Sequence, residues 1–267
     1  MAKKKATQST GTRKLLTPAA LREYGAFEGV VLPEERFDPA GTWENRYFLQ
    51  MAAPPWKDYR GMLVLTRSPL AGGGILLRVE QTIVQEHQRI DRDHVLGLHV
   101  TEAEIRCAAD ELTSPRSWRL ESRLSDMVSG KEYAEARVTR TGSIGRQGIV
   151  EEVNGRRFER RVPRPLTDAW CLFDAVQRFP AAGALPAGFA VLDTLDRVKR
   201  DHRFVRREDS VIPFEFGDVP VRCFQQTGRA TLPIVYFVDD GGRLLLLISG
   251  QKSWILDPAA ASRHEKE

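Results

Sequence analysis

Cysteine is scarce in this chain, with three residues in 267. Cys107, Cys171 and Cys223 are widely spaced and form no Cys-x-x-Cys, so neither a zinc knuckle nor a disulfide framework is indicated. Each is expected to pack as a small buried hydrophobe. Long apolar runs are missing too: none approaches the ~18–20 residues that a membrane-crossing helix needs. Gly-x-Ser-x-Gly is absent, and no glycine loop opens a helix with the Lys-Ser/Thr of a phosphate cradle. Ala71-Gly72-Gly73-Gly74 and Gly142-Ser143-Ile144-Gly145 each join strand to strand and read as turns. An excess of one charge is also lacking. Forty Lys and Arg face 36 Asp and Glu, a net of +4 that argues poorly for nucleic acid. After Lys3, Lys4 and Lys5 the only apolar pair is Leu15-Leu16, so the sequence as written carries no export signal and reads as cytoplasmic. A longer true N-terminus would place the protein in the envelope instead.

What is present is a period of two. Ile75, Leu77, Val79 and Ile83 alternate with Arg78, Glu80 and Thr82. Ala103, Ile105 and Cys107 alternate with Glu102, Glu104 and Arg106, and Trp118, Leu120 and Leu124 with Arg119, Glu121 and Arg123. Ala134, Ala136 and Val138 repeat the scheme. One wet face and one dry face mark an antiparallel sheet. Further strands are expected at 45–51, 60–66, 147–153, 156–162, 202–207, 220–228, 232–238 and 243–249. Asn154-Gly155 predicts a tight hairpin, because both central residues of a type I′ turn need positive φ. Asp239-Asp240-Gly241-Gly242 joins two apolar runs in the same manner. Residues 1–25 read as a disordered basic tail, 26–258 as a single β-rich domain and 259–267 as a second tail.

One segment breaks the pattern. From Pro165 to Phe179 the apolar residues follow helical spacing, with Thr167 or Asp168 placed to cap the free amides and Pro180 to end the run. Leu166, Ala169, Trp170, Cys171, Leu172, Phe173, Ala175 and Val176 cover most of the helix circumference, so it is expected to be buried on several sides. The fold class is therefore mostly β: a curved antiparallel sheet or half-barrel wrapped around one central helix at about 166–179. Many strands, one apolar helix, then a closing set of strands resembles a family of uncharacterised bacterial envelope proteins. Their half-barrel fold is similar to that of the lipoprotein-localisation carriers. The stretch Leu232 to Gly250, followed by Lys252-Ser-Trp-Ile-Leu256, carries the likeness: an aromatic strand, an acidic Gly-Arg turn, an aliphatic strand and a short aromatic strand. The resemblance implies an exported protein and brings no catalytic residues; no cofactor and no metal are expected.

Three constellations could carry function. Trp118, Trp170, Phe173 and Tyr236, with Trp254, could line a pocket for an apolar small molecule or lipid between helix and sheet, or simply fill the core. This gives the leading expectation, a non-enzymatic binding or structural protein. The alternative is a polyanion-binding module. Residues 156–207 hold twelve basic side chains against six acids. If strands 156–162 and 202–207 are neighbours, Arg156, Arg160, Arg203 and Arg207 could share one field. A third reading is a metal-dependent hydrolase around His94 and His99, with His87, Asp91, Asp93, Glu102 and Glu104 nearby. Five-residue spacing, however, puts the two histidines on opposite faces of a strand, and 85–93 reads as a polar hairpin connection.

Overall fold

The computed structural model describes residues 16–51, 59–88 and 94–260. A short helix, α1 (Pro18–Glu23), precedes eight strands: β1 (Trp43–Met51), β2 (Tyr59–Leu70), β3 (Gly74–Gln88), β4 (His94–Cys107), β5 (Pro115–Asp126), β6 (Val138–Gly145), β7 (Gly148–Val153) and β8 (Arg156–Arg160). Each pairs antiparallel with the next, the topology that short turns permit. Next come β9 (Leu166–Asp168) and helix α2 (Ala169–Ala175), which tightens into a 3-10 turn over Val176–Ala181. The second arm follows: β10 (Ala187–Asp193), β11 (Arg197–Arg206), β12 (Ser210–Phe214), β13 (Gly217–Gly228), β14 (Thr231–Val238), β15 (Leu244–Ser249) and β16 (Lys252–Leu256).

These strands make a single curved sheet. Its path runs from β8 back to β1, crosses to β16, and returns through β15, β14, β13, β11 and β10 to β9, with β12 attached beside β13. Strand β9 is parallel to β10; the other ladders are antiparallel. The sheet's two edges, β8 and β9, are consecutive in the chain and joined by residues 161–165, yet share no ladder. Instead β9 packs against β5, so the sheet closes on itself by overlap. The β7–β8 and β10–β11 turns lie at one end of the structure, the hairpin end; residues 161–165 lie at the other, the linker end.

Helix α2 fills the space inside. Trp170, Cys171, Leu172, Phe173, Asp174 and Ala175 are all buried. They meet the dry faces of both arms, among them Leu63, Leu65, Leu77, Val79, Ile105, Phe204, Phe224 and Tyr236. The all-round apolar helix of the sequence is explained by this position. Its first turn is extended rather than helical, because Leu166–Asp168 pairs with Ala190–Leu192 and only then does Asp168 cap the helix.

Several expectations change. Of the basic tail read at 1–25, residues 1–15 lie outside the described ones. Pro18–Glu23 instead form α1, capped by Thr17 and anchored by buried Leu21, with Ala26 and Phe27 also in the core. Residues 261–267 of the second tail also lie outside the description, whereas Ala260 is buried. Gly142 to Gly145 is strand β6 rather than a turn. A Cβ on Gly142 would meet the Trp118 ring at 2.3 Å, so the glycine there makes room for an indole inside the sheet. Ala134–Ala136 is a 3-10 turn, since Tyr133 already bonds back to Leu124 before β6 begins. Within 85–93, Gln85–Gln88 belong to β3, and residues 89–93 lie outside the description. The Asn154-Gly155 hairpin forms as read, with φ of 48° and 77°.

All three cysteines are buried, and the Sγ atoms of Cys107 and Cys171 stand 3.7 Å apart where β4 meets α2. Burial pushes the Cys171 thiol well above its ordinary range and that of Cys223 up to about 11. The thiolate is the reactive species. At pH 8 an aromatic disulfide reagent is therefore expected to label Cys171 and Cys223 far more slowly in the native protein than in the unfolded chain. Stoichiometric labelling of the folded protein would show that the interior opens.

Candidate functional site

The unpaired seam, together with the helix behind it, is where this fold differs from a closed barrel. At the hairpin end side chains hold the seam. Arg140 on β6 reaches across to the turn after β10, giving Nη1 to the Leu195 carbonyl at 2.9 Å and Nη2 to Asp196 at 3.0 Å. On its own arm Arg140 is braced by buried Glu151 at 3.1 Å, whose other oxygen takes Arg160 at 3.2 Å. Across the seam the Leu195 amide donates to Asp168 at 2.9 Å, and the same carboxylate caps α2 through the Trp170 amide at 2.8 Å. The clasp and the helix start thus share one carboxylate. Asp168 is fully buried, and desolvation raises its carboxyl to about 7, against the lowering effect of the amides it accepts.

Other polar side chains pin the helix along its length. The Trp170 indole donates to Gln81 at 2.9 Å. Asp174 lies against Arg67 at 2.8 Å, an ion pair whose N–H is not aligned on the acceptor, and receives Thr113 and Arg178 on its other oxygen. Gln177 accepts from Asn45 at 3.0 Å and from the Leu244 amide at 3.1 Å. Thr167 donates to the Leu112 carbonyl at 2.7 Å, tying β9 to the β4–β5 loop. Polar groups this deep are stable only when satisfied. The apolar moment of the helix hides them in sequence; only the capping role of Asp168 was readable.

The aromatic residues singled out in the sequence all belong to the one hydrophobic core, with Trp254 packed against it, but they sit in different ring contacts. Phe173 packs edge-on against Tyr47 at 5.3 Å. Tyr236 belongs to a second group, tilted against Phe204 at 5.7 Å, and donates its hydroxyl to Gln226 at 2.7 Å. Gln226 in turn meets Nδ1 of buried His202 at 2.8 Å; since its carbonyl is taken, its amide donates there and the neutral ring carries its proton on Nε2. Burial lowers the His202 pKa, which keeps that ring neutral. Trp118 lies over Gly142, Trp170 lies beside Gln81, and Trp254 is partly buried against the core. Three surface grooves of about 390 to 490 Å³ are lined by other residues.

The basic quartet is divided. Strand β8 is one sheet edge, whereas β11 is third from the opposite edge. Arg156 and Arg160 pair across from Val153 and Ile149 and so share the inner face of the first arm. Arg203 alternates with buried His202 and Phe204 on the outer face of β11, and Arg207 lies just beyond that strand. Both histidines lie on β4. His99 meets Ser122 Oγ at 2.6 Å; His94 opens β4 five residues earlier, its side chain outside the described ones. Among the described residues no three His, Cys, Asp or Glu side chains group as metal ligands would.

Comparison with solved structures places the topology. The chain is similar to a β-barrel-like protein of a domain of unknown function, DUF1849, from Brucella abortus, with a TM-score of 0.52 and 11% identity over 81% of this chain and 95% of that one. The fold is β-barrel-like. No protein-family model matches the sequence, nor does any curated protein. This barrel-like sheet carries one short helix inside and no described helix long and apolar enough to cross a membrane.

Proposed function

We propose that the protein is a non-enzymatic binding protein that takes an apolar small molecule or lipid between α2 and the inner face of the β5–β8 arm, in the manner of the lipoprotein-localisation carriers. One observation carries this reading: the two edges of the sheet are held by side chains and overlap, not by a backbone ladder. Breaking a few polar contacts costs far less than breaking a strand pair, so this seam is the easiest route inward. The face it would expose is mixed at its margin, where Arg156 and Arg160 stand on either side of an aromatic ring. Phe158 is 49% exposed there, in register with Glu151 and through it with Gly142 and Trp118. Ile144 and Val153 beside it are half-buried.

The test is titration with an apolar naphthylamine dye, read by dye emission and tryptophan quenching, alongside native mass spectrometry for co-purified lipid. Saturable uptake is expected, and Arg140→Ala, which unlocks the hairpin end, should speed it at least several-fold. Uptake that is absent from both proteins below their unfolding transition would overturn the reading.

A further inference from the structure

Arginine on this sheet is usually matched. Arg78 meets Glu104, Arg123 meets Glu102, Arg137 meets Glu121, Arg157 meets Glu159 and Arg206 meets Asp209, all on exposed strand faces. Others are not: Arg106, Arg119, Arg197, Arg200 and Arg203 have no ion pair among the described residues, and the same holds for several at the linker end of the seam. Two adjoining grooves of about 490 Å³ each flank the β6–β7 turn there. Arg146, Arg160 and Arg161 line one, Arg116 and Arg164 the other. Arg164 spans the turn between them by donating to the Gly145 carbonyl.

The lining carboxylates do not neutralise this set. Glu159 is engaged by Arg157. Asp110 spends one oxygen on the amides of Leu112 and Ser114, bracing its own loop. Arg160 is ion-paired with Glu151 at 3.2 Å from the inner side of the sheet, though neither its Nε nor its Nη2 makes a hydrogen bond. Arg116, Arg146 and Arg161 are left with no carboxylate among the described residues. Held on a short turn, a strand end and a linker, they keep their mutual repulsion in the folded state. A ligand with several anionic oxygens removes that repulsion, and the planar guanidinium fork suits phosphate oxygens.

We propose that this groove binds a phosphoryl anion, with Arg146 and Arg161 as its main ligands and Arg116 and Arg164 at its flank. The site is distinct from the apolar space behind the seam and does not depend on it. The β6–β7 turn contributes shape: Gly148 has a φ of +141°, and a Cβ there would strike the Arg160 carbonyl at 2.2 Å, so this floor accepts no side chain.

Calorimetry with inorganic pyrophosphate at low ionic strength tests it, with a second arm using phosphatidylcholine vesicles with and without phosphatidic acid. Pyrophosphate binding that falls at least ten-fold in Arg146→Gln/Arg161→Gln, and is unchanged in Arg123→Gln, supports a soluble phosphate ligand. Vesicle binding that needs phosphatidic acid and is lost in the same double variant supports a lipid headgroup. The double variant removes no described intramolecular contact of Arg146 or Arg161, and its circular dichroism melt is expected to be unchanged. No binding in either arm, or binding that the double variant leaves intact, overturns the proposal.

Discussion

Asp174→Ala is expected to be the most damaging single change in the molecule, lowering stability by about 3–5 kcal/mol. Asp174 lies inside the sheet with no exposed side-chain surface and faces Arg67, whose own side chain is only 5% exposed. Removing the carboxylate leaves the Arg67 charge buried with only the Ala40 and Gly41 carbonyls to receive it. Thr113 loses its acceptor at the same time. Arg178 suffers less, because it reaches solvent and keeps the Asp110 carbonyl at 3.0 Å. The measurement is the urea midpoint at constant slope. The mechanism is separated from simple loss of packing by the double variant Arg67→Met/Asp174→Leu. Replacing both charges with apolar groups removes the desolvation cost together with the attraction. At least half of the lost stability should return. A double variant as unstable as Asp174→Ala would locate the damage in the shape of the helix–sheet contact instead.

The second large effect is a dependence of stability on pH that runs against the usual direction for an acid. The Asp168 carboxyl is raised from 3.8 to about 7 in the folded protein. The folded state therefore holds this proton more tightly than the unfolded chain between those values. Its contribution to stability is full below about pH 4 and is lost as pH rises to about 7, by at most about 4 kcal/mol for a shift of this size. Asp239, also raised by burial, acts in the same direction, whereas Asp126, lowered by the turn amides and hydroxyl of Ser129, acts in the opposite one. The quantity to read is thus the difference between wild type and Asp168→Asn across pH 4 to 8. Asparagine caps helices as well as aspartate, but the Leu195 and Trp170 amides donate to different oxygens of Asp168, so its single carbonyl oxygen can keep only the capping bond from Trp170. The variant should lose the downward slope, while the lost Leu195 bond lowers its stability by an amount that does not vary with pH. Parallel profiles would show that Asp168 is ionised at no cost.

The sequence made the sheet legible where side chains alternate and turns have demanding chemistry. Ile75 to Ile83 and Ala103 to Cys107 declare their buried faces, and Asn154-Gly155 fixes its hairpin without help from the rest of the chain. Strand β6 escaped because Thr141-Gly142-Ser143 offers no apolar side chain to count; its inward position at Gly142 is occupied by a neighbour, Trp118. Strand β9 escaped because three residues next to a helix cap have no period to read. The central helix was legible as apolar on all sides, yet its polar pins were not. Arg67, Gln81 and Asn45 reach Asp174, Trp170 and Gln177 only through the curvature of the sheet, and nothing local to any of them marks a partner. The same holds for the linker-end arginines. Charge counting found a basic stretch, but Arg116 and Arg146, outside it, complete the groove, while Arg203 and Arg207 face elsewhere.

The placement of β1 beside β16 has a bearing on how the molecule assembles. Hairpins within β1–β8, and again within β13–β16, need only local contacts and can form early. The ladder that unites the two arms joins the most distant strands of the fold, Tyr47 to Leu256 through Met51 to Lys252, and closing so long a loop is slow. Before that step each arm has an uncovered apolar face, with α2 tied at its start to the second arm through β9 and β10. Assembly then resembles shutting a book whose spine is β1 and β16 and whose covers meet at β8 and β9. The last contacts to form in such an order are those of Arg140 and Asp196, the ones the folded protein can most readily give up again.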